Sequence, residues 1–201
     1  QAWLALARDE KVDGWVRVSA AEALGKLGRA DEAAPILLAL ARDEQVDGWV
    51  RVSAAEVLGR LGRAAEAAPI LLALACDEQV DGWVRVSAAE ALGRLGRAAE
   101  AAPILLALAR NKLVDKRVRL RATEALGRLG RADEAVPILW ALVHDEKGDR
   151  WVRVGAAEAL GKWADARVLP ELERIAREDE SEDVRQAARR AVKQIRRRGG
   201  A

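Results

Sequence analysis

The sequence predicts an all-α fold, a right-handed α-solenoid (α-α superhelix) of six stacked helix pairs, from three observations. A 34-residue template recurs along the chain, each copy contains two short amphipathic segments, and the composition favours close-packed helices. Alanine and leucine carry most of the apolar content, while Phe, Tyr and Met are absent, which leaves few of the residues that strands prefer. Neither helix of a pair can bury its apolar face alone, so the pairs are expected to stack.

The repeat is clearest at a Val-Arg dipeptide. This dipeptide begins at positions 16, 50, 84, 118 and 152, each 34 residues after the last, and at 184 after a further 32 residues. The prolines keep the same interval up to the fifth unit. We expect one solenoid domain over 1–201, with units at about 1–28 (a truncated first unit), 29–62, 63–96, 97–130, 131–163 and 164–201 (a C-terminal cap).

The first helix of the second unit is predicted from the spacing of its apolar residues. Ala33, Ile36, Leu37 and Leu40 stand at i, i+3, i+4 and i+7, the pattern of an amphipathic helix. Asp31 is the predicted N-cap of this helix.

The second helix of the same unit begins after Asp47, a predicted N-cap, and ends at Gly62, where a left-handed turn is expected. The glycines of "LGRLG" are interpreted as positions for close helix packing and for this turn. Its apolar face is formed by Val50, Ala54, Val57, Leu58 and Leu61.

The order "APILLALARD" followed by "DGWVRVSAAEALGRLG" resembles HEAT repeats of the short, phycobilisome-lyase-like type, and it covers essentially the whole chain. The sequence is also similar to artificial HEAT-like consensus scaffolds. The resemblance implies that the second helices line a concave face, and that the Arg of each Val-Arg dipeptide pairs with a capping aspartate. Those aspartates are Asp13, Asp47, Asp81, Asp115 and Asp149.

A second stripe on each second helix lies opposite its apolar face and is the predicted partner-binding surface. In the second unit it contains Trp49, Val52, Ser53, Glu56 and Arg60. Aromatic side chains edged by charge are typical binding anchors. The alternative is that each indole fills the seam between units, or was copied by duplication. The predicted site comprises Trp15, Val18, Ser19, Trp49, Val52, Ser53, Glu56, Trp83, Val86, Ser87, Glu90, Arg117, Arg121, Trp151 and Val154.

The fourth unit departs from the template, with Arg117 in place of the tryptophan and Arg121 in place of the serine. With Arg128 and the basic tail Arg196–Arg198, these residues form the alternative hypothesis of an anion or nucleic-acid site. The recurring glutamates at 22, 56, 90, 124 and 158 are interpreted as a solvated face.

The sequence offers few groups for catalysis, so we expect no enzyme activity, no cofactor and no metal. His144 and Cys76 are the only residues of their types, and no His-Glu or Cys-x-x-Cys pair is present. Metal-dependent HEAT-like hydroxylases depend on His-Glu pairs, so the resemblance does not imply that activity for this chain. His144 is expected to face solvent, and Trp140 to pack against a neighbour.

The expected function is therefore a non-catalytic interaction scaffold for a protein or peptide. The net charge of +2 gives no general field for nucleic acid, and no apolar run approaches the roughly 18 residues that span a bilayer. We expect a cytoplasmic protein or an excised piece of one, with end-to-end self-association through the truncated first unit as a possible contact. A bilin-lyase-like chaperone subunit and an engineered repeat protein without a natural function stay open.

Overall fold

The computed structural model describes residues 1–199, and this part of the chain contains twelve α-helices and no strand. The prediction of an all-α fold built from helix pairs is confirmed. The chain divides into two compact units, Gln1–Ile104 and Leu105–Ala201, which we call unit 1 and unit 2. Each of them contains several of the 34-residue repeats. The last two positions of the predicted cap, 200 and 201, lie outside the described residues, and the single domain over 1–201 stays a prediction.

Unit 1 stacks helix pairs in chain order. Each first helix packs on the second helix of its pair, and second helices also pack on one another, α2 on α4 and α4 on α6. This sequential packing is the architecture of an α-solenoid. The helices are α1 (Ala2–Arg8), α2 (Gly14–Lys26), α3 (Ala30–Arg42), α4 (Gly48–Arg60), α5 (Ala64–Cys76) and α6 (Gly82–Arg94), followed by α7 (Ala98–Arg110), which contains the boundary between the units.

Unit 2 continues the same plan with a modified end. Helix α9 packs on α8 and α10, and α12 packs on both α10 and α11. The helices are α8 (Lys116–Arg128), α9 (Ala132–Val143), α10 (Arg150–Trp163), a short 3-10 helix (Ala166–Val168), α11 (Leu169–Glu178) and α12 (Glu182–Gly199).

The second helices of the first five repeats begin at aspartate caps, as predicted. The Asp47 Oδ1 atom accepts a hydrogen bond from the backbone N–H of Trp49 at 2.9 Å, which satisfies a donor that the first helical turn cannot. The prediction for Asp31 is wrong, because α3 begins at Ala30 with Arg29 as its N-cap. The left-handed turn at Gly28 (φ 78°) brings the chain into helical geometry before Asp31, which lies in the first turn.

Glycines in the "LGRLG" segments fulfil the two predicted roles. Gly62 has a φ of 84°, a left-handed conformation that favours glycine and ends α4. Gly59 lies in the contact between helices, where an added Cβ would stand 2.5 Å from Leu95 Cδ2. At the start of α2, a Cβ on Gly14 would stand 2.9 Å from Val50 Cγ1 of α4. These contacts fill the seam between successive second helices.

The arginines of the Val-Arg dipeptides form a ladder, but the predicted partner is wrong. Arg51 Nε donates to the carbonyl oxygen of Ala41 at 3.3 Å, and Arg153 Nε donates to that of Val143 at 2.9 Å. Both carbonyls lie in the last turn of the preceding helix, where backbone acceptors lack helical partners and a cation is favoured. The same bond joins Arg17 to Ala7, Arg85 to Ala75 and Arg119 to Ala109.

Candidate functional site

Three tryptophans of unit 1 occupy equivalent exposed positions, and we call Trp15, Trp49 and Trp83 the tryptophan row. Each is the second residue of its helix, α2, α4 or α6, and 48, 41 and 39% of the respective residue surfaces is exposed. Because α2 packs on α4 and α4 on α6, the row crosses three neighbouring helices of one unit. The seam contacts of Gly14 and Gly59 with Val50 and Leu95 use other residues.

The valines of the predicted stripe do not belong to an exposed surface. Val18, Val52 and Val86 are buried, with 3, 2 and 1% of their surfaces exposed. Helix α4 contacts α3, α5, α2 and α6, so its buried arc is wider than the single apolar face that the sequence pattern indicates. The prediction that these valines meet a partner is therefore wrong.

The serines next to the row are only partly available. Ser19 is exposed, but its hydroxyl donates to the Trp15 carbonyl oxygen of its own helix at 2.9 Å. Ser53 and Ser87 are half-buried. The serines therefore present less exposed surface and fewer free hydrogen-bonding groups to a partner than the indoles do.

The glutamates of the stripe are half-buried, and the first two pair with exposed cations. Glu22 contacts Lys26 and Arg60, both at 3.2 Å, and Glu56 pairs with Arg94 of the next second helix. The hydrogen bond from Lys26, helped by the charge of Arg60, lowers the pKa of the Glu22 carboxyl. Glu90 is also half-buried. Charge along the stripe is thus largely balanced within unit 1.

Unit 2 contains one tryptophan at the equivalent position. Trp151 is 59% exposed and lies, with the half-buried Val154, in a concavity of about 440 Å³ between α10 and α12. Glu158 and Arg190, which pair at 2.7 Å, line the same concavity. The Arg150 guanidinium lies 4.9 Å from the centre of the Trp151 rings, a cation–π distance.

Arg117 of the fourth repeat forms an ion pair with Asp149 of the same unit. Its Nη2 and Nε atoms contact Asp149 Oδ2 at 2.5 and 2.9 Å. This contact raises the pKa of Arg117 and lowers the pKa of Asp149, with the side-chain hydrogen bond as the largest cause for both. Lys116 pairs with Asp145, and Arg121 is exposed. Arg117 of the predicted anion site and the adjacent Lys116 are therefore already paired with carboxylates of the same unit.

The basic tail is also held by its own unit. Arg196 pairs with Glu173 at 2.6 Å, and Arg198 donates to the carbonyl oxygens of Lys162 and Ala164. Sequence reasoning missed a concavity of about 610 Å³ between α11 and α12. Its lining residues are Glu173, Ala176, Arg177, Arg189, Val192, Lys193, Arg196 and Arg197.

The titratable residues that most often perform catalysis do not converge. His144 is exposed, as predicted, and its Nε2 lies 3.0 Å from Glu171 Oε1 while its ring meets Trp140 edge-on at 5.0 Å. Cys76 is exposed and free. Among residues 1–199, no group of three or more His, Cys, Asp or Glu side chains is placed to hold a metal ion.

Sequentially stacked helix pairs with a recurring Val-Arg motif define this chain as an α-solenoid repeat protein. The family described as HEAT repeats matches residues 45–117 and 112–193, and the family described as PBS lyase HEAT-like repeat matches residues 16–43. The chain belongs to the HEAT-repeat family.

Comparison with curated proteins finds no match. Among solved structures, the chain is similar to human deoxyhypusine hydroxylase in complex with glycerol, with 23% identity and a TM-score of 0.41. The likeness covers 98% of this chain and 84% of the other. No helix within residues 1–199 has the length and apolar character required to cross a membrane.

Proposed function

We propose that this chain is a non-catalytic scaffold that binds a protein or peptide through the tryptophan row. The exposure of Trp15, Trp49 and Trp83 at equivalent positions of packed helices carries this proposal. Contiguous exposed apolar surface on a folded protein is characteristic of interaction sites. Tryptophan is also the residue most enriched among interface side chains that contribute strongly to binding.

The charges around the row favour a polypeptide partner over nucleic acid. The Glu22 and Glu56 carboxylates neutralise Arg60 and Arg94, so the stripe has no unbalanced cation row to release counterions from phosphates. In unit 2, Arg117 is held by Asp149. An aromatic surface with balanced charge is better matched to side chains than to a phosphate backbone.

Affinity capture from a cell lysate tests the proposal. The row variant carries Trp15→Ser, Trp49→Ser and Trp83→Ser, and the control variant carries Trp3→Ser and Leu113→Ser, two exposed apolar residues outside the row. We expect the parent and the control to retain the same proteins, and the row variant to lose them, because an interface tryptophan commonly contributes about 2 kcal/mol, or about 30-fold in Kd.

Circular dichroism first establishes that both variants fold, and capture is repeated at low and moderate salt. Equal capture by the row variant and the parent would contradict the proposal. The proposal would also fail if the parent chain retained only nucleic acid that is released at moderate salt.

A further inference from the structure

Unit 2 shows how the start of a second helix holds a guanidinium. Asp149 uses Oδ1 to accept the Trp151 backbone N–H at 2.8 Å, which caps α10, and uses Oδ2 to accept from Arg117. Arg117 stands in the preceding repeat, 32 residues earlier, at the position that tryptophan occupies in the first, second, third and fifth repeats. A second guanidinium, that of Arg150, lies over the Trp151 rings.

Unit 1 contains the same aspartate caps, but tryptophan stands at the positions that correspond to Arg117. Trp15 precedes Asp47 by 32 residues, and Trp49 precedes Asp81 by the same number. The Oδ1 atoms of Asp47 and Asp81 accept the N–H groups of Trp49 and Trp83 at 2.9 and 2.8 Å, just as Asp149 does for Trp151. In the described part of unit 1, neither Asp47 nor Asp81 forms an ion pair. Their Oδ2 atoms correspond to Asp149 Oδ2, which accepts hydrogen bonds from Arg117 in unit 2.

We propose that unit 1 binds arginine side chains of its partner at Asp47 and Asp81, each guanidinium pairing with the carboxylate beside the indoles of the tryptophan row. This inference rests on the proposed function and names the chemistry of the partner, an extended segment containing arginines. Guanidinium is the matching group because it forms planar, charge-assisted hydrogen bonds to a carboxylate and also stacks on aromatic faces. Trp15, Trp49 and Trp83 supply those faces.

The loops next to the row increase the preference for a cation. The segment before α4 contains the exposed Asp43 and Glu44, and the segment before α6 contains the exposed Asp77 and Glu78. The corresponding segment of the fourth repeat reads "NKLVDK", with one acidic residue and two lysines. An acidic edge therefore accompanies the tryptophan row, and the segment that contains Asp149 likewise has the acidic residues Asp145 and Glu146.

Helix spacing sets the expected interval between the arginines of the partner. Packed helices lie about 8–10 Å apart, and an extended peptide rises about 3.3 Å per residue. A partner that lies across α4 and α6 would thus place an arginine at about every third residue. A glycine- and serine-spaced peptide with arginine at every third position is the corresponding probe.

Binding of this peptide to the full chain is measured by isothermal titration calorimetry at low salt. A peptide with citrulline at the same positions keeps the shape and removes the charge, and a lysine peptide keeps the charge and removes the planar fork. We expect the arginine peptide to bind most tightly, and the citrulline peptide to bind at least tenfold more weakly.

Two protein variants with the same change in net charge locate the site. Asp47→Asn with Asp81→Asn removes the proposed carboxylates and keeps good N-caps, because asparagine caps helices as well as aspartate does. Asp133→Asn with Glu146→Gln removes two exposed carboxylates of unit 2, outside the proposed site. We expect the first variant to lose about tenfold in affinity per site, and the second to stay within about threefold of the parent.

Four results would overturn the inference: no binding of the arginine peptide, equal binding of the citrulline peptide, unchanged affinity in the Asp47 and Asp81 variant, or equal losses in both variants. If lysate capture still depends on the tryptophan row, such a result removes only the assignment of arginine. If capture is independent of the row, the proposed function itself fails.

Discussion

Arg153→Met is expected to destabilise the protein by about 3–5 kcal/mol, because it leaves a buried charge without its partner. Arg153 is 8% exposed, and its guanidinium pairs with Asp179, whose side chain is also 8% exposed. The same arginine donates to the Val143 carbonyl oxygen. Methionine fills similar space but satisfies neither acceptor, and urea unfolding monitored by circular dichroism measures the loss.

Two further variants separate the ion pair from the rest of the ladder. Arg51→Met removes an equivalent arginine whose contact is the Ala41 carbonyl oxygen, and it is expected to cost only about 1.5 kcal/mol. Adding Asp179→Asn to Arg153→Met is expected to recover part of the stability, since the uncompensated charge disappears while an amide oxygen can still accept the Ser181 N–H. Equal costs for Arg153→Met and Arg51→Met would contradict this explanation.

Gly161→Leu is expected to destabilise unit 2 by about 3 kcal/mol, at the upper end of the usual cost of overpacking. A Cβ at Gly161 would stand 2.8 Å from the Ala191 Cα atom and 3.0 Å from its Cβ. Because backbone atoms of α12 form this contact, a change of rotamer cannot relieve it, and α10 and α12 must separate. Thermal unfolding of the full chain measures the effect.

Gly199→Leu is the matched control, because no heavy atom lies within 4 Å of a Cβ added at Gly199. We expect it to leave the midpoint of unfolding almost unchanged. A similar loss in both variants would show that the glycine-to-leucine change itself, rather than the contact with Ala191, causes the destabilisation.

The fold could be predicted because its determinants are local and repeated. Apolar spacing within one repeat defines the helices, and Asp47 and Gly62 mark the start and end of α4 by rules that depend only on nearby residues. The predicted N-cap at Asp31 is wrong for an equally local reason. The left-handed turn at Gly28 starts α3 at Ala30, before Asp31, and no side-chain cap is formed.

The candidate site could be predicted only in part, because its details depend on how repeats stack. The exposed position of Trp49 followed from helical geometry, whereas the burial of Val52 depends on packing from four neighbouring helices. The pairing of Arg117 with Asp149 joins residues 32 positions apart in successive repeats. Such contacts follow from the orientation of neighbouring helices, which the residue pattern of one repeat does not contain.

The central claim is that the tryptophan row is a free surface that a partner covers. Hydroxyl-radical footprinting with mass spectrometry measures this for each residue, in the free protein and in complex with a captured partner. We predict that Trp15, Trp49 and Trp83 are oxidised faster than the half-buried Trp163 in the free protein, and become protected in the complex while Trp3 does not. Slow oxidation of the row in the free protein, or unchanged oxidation in the complex, would contradict the claim.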